Sequence, residues 1–294
     1  MNVSQSPVPK ISVLMPVYNT QENHLREAIE SILSQTYRDF EFIILNDAST
    51  DAHVEHVVKS YNDPRIIYSV NETNLGISGT RNRLIEMARG EYLAVMDHDD
   101  ISLPQRFEKE VACLESNPDI GVVSCFVEVW DDRRKTVWEI PEKSIDIKKT
   151  LLVHDCIPHP CAMIRKSVLV ENNIRYESIY TPSEDYALFV RLINKTEFYN
   201  IQEVLCYYRN HSSNTTHLKS LEMGNASIVI RKLARRQNPD LWSLVRLTVM
   251  KKHRFKLFNF FPLLKIEESS DKKIFYLLGF IPVFSIQKGR WRKK

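Results

Sequence analysis

The sequence predicts an α/β fold built on a mostly parallel sheet with helices on both faces. Short apolar runs alternate with segments of helical period through the first 120 residues. These runs are short and almost continuously apolar, which is typical of strands covered on both sides. At 294 residues and 43% hydrophobic content, the chain is long enough for one large domain or one domain with an appendage.

The order strand then helix repeats four times in the first half of the chain. The carboxyl ends of parallel strands share one rim, and ligands bind beyond that rim. This rule brings Asn46, Asp47 and the carboxylates of residues 97–100 together. The predicted strands are residues 11–17, 41–46, 65–70 and 91–97, and the predicted helices are residues 25–33, 52–61, 78–88 and 104–117.

The middle of the chain is less regular, and we assign it to the same Rossmann-like domain, which then spans residues 1–220. Two apolar runs look like strands, and a segment of helical period lies between them. The predicted elements are strands at residues 120–130 and 203–209, a strand that begins with His159 and Pro160, and a helix at residues 183–194.

Residues 221–294 differ in kind from the rest of the chain. They carry 17 Lys and Arg against 5 Asp and Glu, whereas the first 220 residues carry 23 against 32. Two 12-residue segments, 255–266 and 275–286, align without gaps and share five identical residues. We predict a helical, basic and aromatic region, too short in its apolar stretches to span a bilayer.

The composition of this region favours a membrane surface over nucleic acid. Basic residues around aromatic side chains are typical of segments that lie on anionic lipid, and no nucleic-acid-binding module accompanies the charge. We therefore expect attachment to the cytoplasmic face of the inner membrane. A hydrophobic homodimer contact or a packed cap is the alternative.

Three carboxylates, those of Asp97, Asp99 and Asp100, follow the fourth predicted strand within four positions. Like charges so close repel unless a cation or a donor-rich ligand lies among them. The turn after the first strand lacks the glycines of a dinucleotide-binding loop, and the chain contains no P-loop. A phosphate would then be held through Mg²⁺ or Mn²⁺, which accepts carboxylate, phosphate and water oxygens.

A zinc site made of cysteine and histidine is a weaker candidate for the functional site than the acidic segment. The segment HDCIPHPC, residues 154–161, contains four residues of zinc-binding type but lacks the C-x-x-C pair of common structural sites. The five cysteines are odd in number, which argues against a disulfide framework, and the first residues show no secretory pattern. We expect a reducing, cytoplasmic environment.

Six segments of the chain carry further information, in this order: ISVLMPVYN, FIILNDASTD, NLGISGTRN, VMDHDD, HPCAMIRKSVL and SEDYALFVRL. In this order they resemble the family 2 inverting glycosyltransferases of the GT-A fold, of the bacterial surface-polysaccharide or lipooligosaccharide type. Six ordered matches over roughly residues 10–215 are far more specific than a lone D-x-D. The resemblance implies a nucleotide-diphospho-sugar donor and a divalent metal.

The resemblance implies roles for the residues of the rim. It places Asp47 in a hydrogen bond with the base, usually uracil, Arg81 near the base and phosphates, and Asp99 on the metal. An Asx turn or helix cap is the alternative for Asp47, and a surface charge on an amphipathic helix is the alternative for Arg81. His98 is a metal ligand by type, although the family leaves its position variable. The predicted nucleotide-binding residues are Pro16, Val17, Tyr18, Asn19, Asp47, Asn74, Gly76, Arg81, Asp97 and His98, and the predicted metal ligand is Asp99.

The resemblance also implies the catalytic residues. An inverting transfer needs a carboxylate that takes the proton of the acceptor hydroxyl. By resemblance Asp185 is this general base and Glu184 is its neighbour, and the adjacent charge is expected to raise one of the two pKa values. The same residues also suit the first turn of a helix, where acidic side chains complement the dipole. Phe189 stands where many relatives carry Trp.

The activity these roles imply is the transfer of one hexosyl group from a UDP-sugar, with inversion, to a hydroxyl of a glycan or lipid-linked acceptor. A catalytically degenerate membrane scaffold is one alternative. A sugar-nucleotide pyrophosphorylase is another, but it would need a glycine-rich G-x-G-T-R loop where this chain has PVYNTQEN.

Overall fold

The computed structural model describes residues 8–130, 134–211 and 214–247, together with the backbone of four short strands between residues 264 and 292. The chain divides into two compact units, Met1–Gln237 and Asn238–Lys294. The first unit contains the predicted α/β sheet. The assignment of residues 1–220 and 221–294 to separate domains stays a prediction.

The first unit alternates strands and helices in the predicted order. Its strands are β1 (Ile11–Val17), β2 (Phe40–Asn46), β3 (Ile66–Val70), β4 (Tyr92–Val95), β5 (Ile101–Ser102), β6 (Ile120–Trp130), β7 (Lys135–Trp138), β8 (Met163–Arg165) and β9 (Glu197–Arg209). Its helices are α1 (Glu22–Leu33), α2 (His53–Lys59), α3 (Gly76–Met87), α4 (Arg106–Ser116), α5 (Ser144–Leu151), α6 (Lys166–Glu171), α7 (Glu184–Leu192), α8 (Thr215–Leu218) and α9 (Ser220–Gln237).

One sheet runs through the first unit in the order β3-β2-β1-β4-β8-β6-β9-β5, with β7 paired to β6. Strands β3, β2, β1 and β4 are parallel. Strand β8 then runs antiparallel to both of its neighbours, β4 and β6, so the sheet as a whole is mixed. All residues of β1 and β2 are buried, so these strands are covered on both faces, as their apolar sequences predict.

The core explains why these helices form where they do. Leu25, Ala28, Ile29 and Ile32 of α1 are fully buried at a spacing of three and four residues, and they belong to the same apolar cluster as alternate residues of β1. Beneath β4, Arg106 and Glu110 of α4 form a fully buried ion pair. The Arg106 guanidinium also donates to the carbonyl of Val95 at 2.9 Å, which fixes the carboxyl end of β4.

The α/β fold class is confirmed, and the first four predicted strands lie within three residues of their observed limits. The short elements β5, β7, α5, α6 and α8 were not predicted. The prediction of a strand that begins at His159 and Pro160 needs correction, because His159–Cys161 is a 3-10 turn and β8 begins only after it. Proline at the second position of this turn has no N–H to donate to a sheet.

The second unit begins with helix, since residues 239–247 are helical. Its strands β10 (Leu264–Glu268), β11 (Lys272–Leu277), β12 (Ile281–Gln287) and β13 (Arg290–Arg292) form an antiparallel sheet in chain order. The prediction of helix through residues 221–294 is therefore corrected at these strands. Most of the first predicted repeat, 255–266, lies outside the described residues. Among the described helices, none combines the length and apolar character needed to cross a membrane.

Candidate active site

A cavity of about 770 Å³ opens beyond the carboxyl ends of β1, β2 and β4, at the predicted rim. It lies within the first unit. Every site residue predicted from the sequence contributes to its lining. These residues are Pro16, Val17, Tyr18, Asn19, Asp47, Asn74, Gly76, Arg81, Asp97, His98, Asp99, Glu184 and Asp185.

Asp47 is buried at the end of β2, where its carboxylate organises the neighbouring loop. Its Oδ1 accepts hydrogen bonds from Asn71 Nδ2 at 2.7 Å and from the backbone N–H of Leu75 at 2.8 Å. The Asx turn considered for Asp47 is instead made by Asn46, whose Oδ1 accepts from the N–H of Ser49 at 2.9 Å. Asp47 is thus held by one oxygen while its carboxylate lines the cavity.

Two loops beside Asp47 are shaped by unusual backbone conformations. Asn19, with a φ of 48°, accepts a hydrogen bond from the N–H of Thr50 through its Oδ1 at 3.0 Å, which ties the β1 and β2 loops together. Gly76 has a φ of 70°, a conformation in which any side chain would be strained. The Oδ1 of Asn74 accepts from the Gly76 N–H at 3.0 Å, and its Nδ2 donates to the Asp47 carbonyl at 3.1 Å.

Arg81 is a buried cation that joins two parts of the site. Its Nη1 donates to Glu184 Oε1 at 2.7 Å, and its Nη2 donates to Asp97 Oδ1 at 3.2 Å. Only 10% of its side chain is exposed, so the alternative of a surface charge on an amphipathic helix is excluded. Burial opposes its charge, but Asp97 and Glu184 outweigh burial and raise the pKa of Arg81 above its usual value. The guanidinium is therefore a permanent charge in the cavity wall.

The acidic segment after β4 meets a histidine from a distant part of the chain. The Nε2 of His211 lies 3.1 Å from Asp99 Oδ2, and the ring of His211 stacks on that of His24 with centroids 5.3 Å apart. Burial, followed by the charge of Arg209 and by His211, lowers the pKa of His24. The lowered pKa keeps the imidazole of His24 from adding positive charge near Asp99 at neutral pH.

Asp100 braces the segment rather than lining the cavity. Its Oδ1 accepts from the N–H of Arg209 at 2.9 Å, and Arg209 Nε donates to the Asp99 carbonyl at 3.0 Å. Burial, and then the charges of Asp99 and Asp97, raise the pKa of Asp100 well above its usual value. These contacts fix the loop on β9.

The donors around Asp99 fit a divalent cation. In the described part of the chain, the side chain of Asp99 is approached only by the imidazoles of His98 and His211, with His98 Nδ1 at 3.9 Å from Asp99 Oδ1. His98 Nδ1 is buried and has no hydrogen-bond partner among the described residues. Carboxylates beside an imidazole form a mixed oxygen and nitrogen donor set, which Mn²⁺ accepts more readily than Mg²⁺.

Glu184 and Asp185 lie in the first turn of α7, across Arg81 from Asp97. Glu184 is buried, and one of its oxygens has no partner in the described part of the chain. Asp185 Oδ1 accepts from the N–H of Tyr186 at 2.7 Å. Burial, together with the charge of Glu184, raises the pKa of Asp185 to about 6. A carboxylate with this pKa is ionised at neutral pH yet binds a proton far more readily than an ordinary aspartate.

The cysteine and histidine segment does not form the zinc site considered from the sequence. His159 Nε2 lies 2.8 Å from the hydroxyl of Tyr176, and burial lowers the pKa of His159 well below its usual value. Cys161 instead lies with Cys125 and Cys206 in a buried group whose sulfur atoms are all within 4.8 Å of one another. These thiols belong to an apolar cluster that also contains valine and leucine side chains.

Comparison with known proteins agrees with this geometry. The sequence profile described as glycosyl transferase family 2 matches residues 12–171, more than half of the chain. The chain belongs to glycosyl transferase family 2. The uncharacterized glycosyltransferase MJ1057 of Methanocaldococcus jannaschii is 38% identical over 213 residues, which cover 70% of this chain and 73% of the relative. The O-antigen biosynthesis glycosyltransferase WbnJ of Escherichia coli is 29% identical over 210 residues, covering 70% and 81%.

Solved structures support the GT-A fold of this family 2 chain. The structure of S. aureus TarS residues 1–349 in complex with UDP-GlcNAc aligns with a TM-score of 0.63 and 20% identity, covering 75% of this chain and 65% of that chain, just under two thirds of it. The mannosyltransferase PcManGT from Pyrobaculum calidifontis, in complex with GDP-Man and Mn²⁺, aligns with a TM-score of 0.55 and 16% identity, covering 86% and 81%.

The cavity residues of this family 2 chain that sequence reasoning missed include Trp138, Asp155 and His211. Asp155 lies in the segment that was read only for zinc ligands, and Trp138 lies on the unpredicted strand β7. His211 follows β9, and 112 residues separate it from Asp99. A histidine just after a strand predicted to end at residue 209 was the only available signal.

Proposed function

We propose that the chain transfers one hexosyl group from a UDP-sugar, with inversion of the anomeric carbon, to a hydroxyl group of a glycan or lipid-linked acceptor. One observation carries the proposal. A single buried guanidinium, that of Arg81, contacts both Asp97 of the acidic segment and Glu184 beside the candidate base. In the proposed reaction, the phosphate end and the proton-accepting end would lie on two sides of this one cation.

The donor would bind along the strand ends. The segment from Pro16 to Asn19 and the carboxylate of Asp47 would hold the base, since a carboxylate oxygen accepts the imide N–H of uracil. Arg81 offers forked donors to the anionic diphosphate, and its charge does not vary with pH in the working range. TarS, a protein of the same fold, was solved with UDP-GlcNAc, which supports a nucleotide sugar of this kind as the donor.

Asp99, with His211 Nε2 at 3.1 Å from its Oδ2, would hold a divalent cation, Mn²⁺ or Mg²⁺, which when bound supplies Lewis-acid stabilisation of the leaving diphosphate. The Mn²⁺ complex of PcManGT, a protein of the same fold, supports this requirement. The rest of the chemistry belongs to the side chains. Asp97, paired with Arg81, would orient the ribose end of the donor. The carboxylate of Asp99 is left for the cation, because Arg209 bonds to the Asp99 backbone rather than to its side chain.

Asp185 would act as the general base. Its carboxylate takes the proton of the acceptor hydroxyl as that oxygen bonds to the anomeric carbon, and the bond from this carbon to the diphosphate oxygen breaks on the opposite face. Inversion follows from this single displacement. The raised pKa of Asp185 suits the role, since proton transfer is most efficient when the base titrates near the working pH.

The biological setting we propose is surface-polysaccharide or lipooligosaccharide assembly at the cytoplasmic face of the inner membrane. WbnJ, a relative named for O-antigen biosynthesis, supports the pathway type. The basic tail supports attachment to anionic lipid. Flotation with anionic liposomes should recover the full chain and lose a chain that ends at residue 247. Equal recovery of both would leave the homodimer contact as the better explanation of the tail.

The experiment that tests the activity is nucleotide release from a panel of nucleotide sugars with Mn²⁺. We expect slow hydrolysis of one UDP-sugar, abolished by EDTA and by Asp99→Asn. The matched control is Asp39→Asn, an exposed aspartate outside the cavity at the amino end of β2, which should hydrolyse the donor at the wild-type rate. A folded wild-type protein that binds and cleaves no nucleotide sugar would support the scaffold alternative.

A further inference from the structure

The cavity has a second side, on which apolar side chains replace most of the charged ones. We call this side the acceptor wall and define it by Val127, Val129, Trp138, Asp155 and Ile157, all of which line the cavity. The donor roles proposed above use none of these residues. The acceptor wall is therefore available to a second ligand, other than the donor.

Strand pairing places the aromatic ring of the acceptor wall. Trp138 of β7 is paired with Val127 of β6, so the two side chains lie on the same face of the sheet, and Val129 follows on that face two residues along. Trp138 remains 39% exposed, whereas Val127 is buried. The sheet thus presents the ring of a large aromatic side chain to a cavity, above an apolar base.

Asp155 is held beside the candidate base by the segment that follows α5. The hydroxyl of Tyr186 donates to the carbonyl of Leu151 at 2.6 Å, and Arg235 Nε of α9 donates to the carbonyl of Leu152 at 2.8 Å. Because Tyr186 directly follows Asp185, the first of these bonds brings the segment against the first turn of α7. The position of Asp155 is therefore fixed by the same helix that carries the base.

The carboxylate of Asp155 is bonded to backbone rather than to a cation. Its Oδ1 accepts from the N–H of Ile157 at 3.1 Å, and no lysine or arginine pairs with it in the described part of the chain. Burial, followed by the charge of Asp185, raises its pKa well above the usual value, which agrees with two carboxylates that face one cavity. A hydroxyl group is a suitable partner for this carboxylate, because an O–H can donate a hydrogen bond to it without adding charge.

We propose that the acceptor wall is a saccharide subsite, in which a sugar ring stacks on Trp138 while Asp155 accepts hydrogen bonds from hydroxyls next to the one that faces Asp185. This inference rests on the proposed function, because it assigns the acceptor of that reaction. A pyranose has an apolar C–H face and a rim of hydroxyl groups, and these match an aromatic ring and a carboxylate respectively. A phosphate acceptor does not match, because its charge would meet those of Asp155 and Asp185.

The test is binding of octyl glycosides by saturation-transfer NMR, with UDP and Mg²⁺ present. The panel contains the octyl glycosides of glucose, galactose, N-acetylglucosamine and N-acetylgalactosamine. We expect at least one to bind the wild-type protein, and Trp138→Leu and Asp155→Asn each to weaken its affinity by about tenfold or more, the loss expected for one hydrogen bond to a charged group or one stacked ring. Trp138→Phe should retain most of the affinity.

Matched controls separate recognition from folding. Val137→Ala changes the neighbouring residue on the opposite face of β7, and Asp146→Asn changes an exposed carboxylate of α5 that does not line the cavity. Both should bind the glycoside as the wild type does. The inference is overturned if no glycoside binds the wild-type protein, or if Trp138→Leu and Asp155→Asn bind as well as the controls.

The two proposals fail in different ways. Glycoside binding that depends on Trp138 and Asp155, in a protein that cleaves no nucleotide sugar, would retain the saccharide subsite and reject the transferase activity. Metal-dependent donor cleavage without glycoside binding would retain the transferase and reject the subsite. In that case, acceleration of nucleotide release by a polyprenyl phosphate would identify a phosphate acceptor.

Discussion

The two sides of the cavity are built on different principles. On the donor side, polar side chains bond to one another before any ligand arrives: Asp47 to Asn71, and Arg81 to both Asp97 and Glu184. On the acceptor wall, Asp155 is bonded only to nearby backbone, and Trp138 is partly exposed. The bonds on the donor side fix the positions of its side chains, whereas the side chains of Asp155 and Trp138 remain available to contact a ligand.

This difference has a physical cause. On the donor side, Asp47 and Arg81 are buried, so their polar atoms must find partners inside the protein or in the ligand. The acceptor wall lies on the hairpin of β6 and β7 and on the segment after α5, where Trp138 is partly exposed and Asp155 is bonded to backbone. Substitutions on the acceptor wall should therefore change which acceptor binds and leave donor binding intact.

Replacing the candidate general base should have the largest effect, because it should lower the transfer rate strongly and leave the affinity for UDP almost unchanged. We expect Asp185→Asn to lower the rate of sugar transfer at saturating donor by about 10²–10⁴, the usual contribution of a general base. The affinity for UDP should stay within about twofold of the wild type. Rates come from nucleotide release in the presence of acceptor, and affinities from calorimetry.

Asp146→Asn, an exposed carboxylate outside the cavity, is the control for this substitution. A transfer rate within tenfold of the wild type would show that another group removes the proton. Asp155 would then be the first carboxylate to replace, because it faces Asp185 across the same cavity.

Arg81 joins the two sides, and its loss should weaken the fold itself. Arg81→Met leaves the carboxylates of Asp97 and Glu184 without their buried partner, and we expect the free energy of unfolding to fall by about 3–5 kcal/mol. Urea unfolding followed by circular dichroism measures this change. Arg38→Met removes an exposed guanidinium and should change the free energy by less than about 0.5 kcal/mol. A loss below about 1 kcal/mol for Arg81→Met would mean that solvent already screens the pair.

The same contrast explains how much of the site could be predicted from the sequence. Local patterns were enough for the donor side, since apolar runs mark β1, β2 and β4, and the strand-end rule then places Asp47 and Asp97 on one rim. The other cavity residues depend on long-range pairing. His211 reaches Asp99 only because β9 pairs with β5, and Trp138 reaches the cavity through its register with Val127.

The second unit shows that hydrophobic periodicity alone does not predict the type of every element. The apolar stretches around residues 264–287 are short and aromatic-rich, and periodicity alone does not separate helix from strand in such runs. Their β-branched and aromatic content favours the strands that the structure contains. Pro282 lies within β12, a placement typical of positions that need no N–H donor.

Base recognition should show a smaller effect confined to the donor side. Asp47→Asn is isosteric and keeps an oxygen that can accept from Asn71 and Leu75, but it turns the other oxygen into a donor. We expect the dissociation constant for UDP to rise about 10- to 100-fold, the cost of losing a hydrogen bond to a charged acceptor. Calorimetry with UDP and Mg²⁺ measures it. Asp51→Asn, an exposed residue of the same loop, is the control, and equal affinities for both variants would assign Asp47 a structural role alone.

The pH dependence should show the smallest effect, about tenfold per pH unit. Burial and the charge of Glu184 raise the pKa of Asp185 to about 6, while Arg81 and the Tyr186 N–H act in the opposite direction. The base must be ionised to accept a proton, so at saturating donor and metal the transfer rate should be constant above pH 7 and fall as pH decreases through 6. Stopped assays of nucleotide release between pH 5 and 8 give this profile.

Glu184→Gln makes the pH prediction specific to Asp185. The substitution removes the charge that raises the pKa of Asp185 and frees Arg81, whose charge lowers it, so both changes act in the same direction. The acidic limb of the profile should therefore move to lower pH. A limb that stays near pH 6 in this variant would assign the titration to a group other than Asp185.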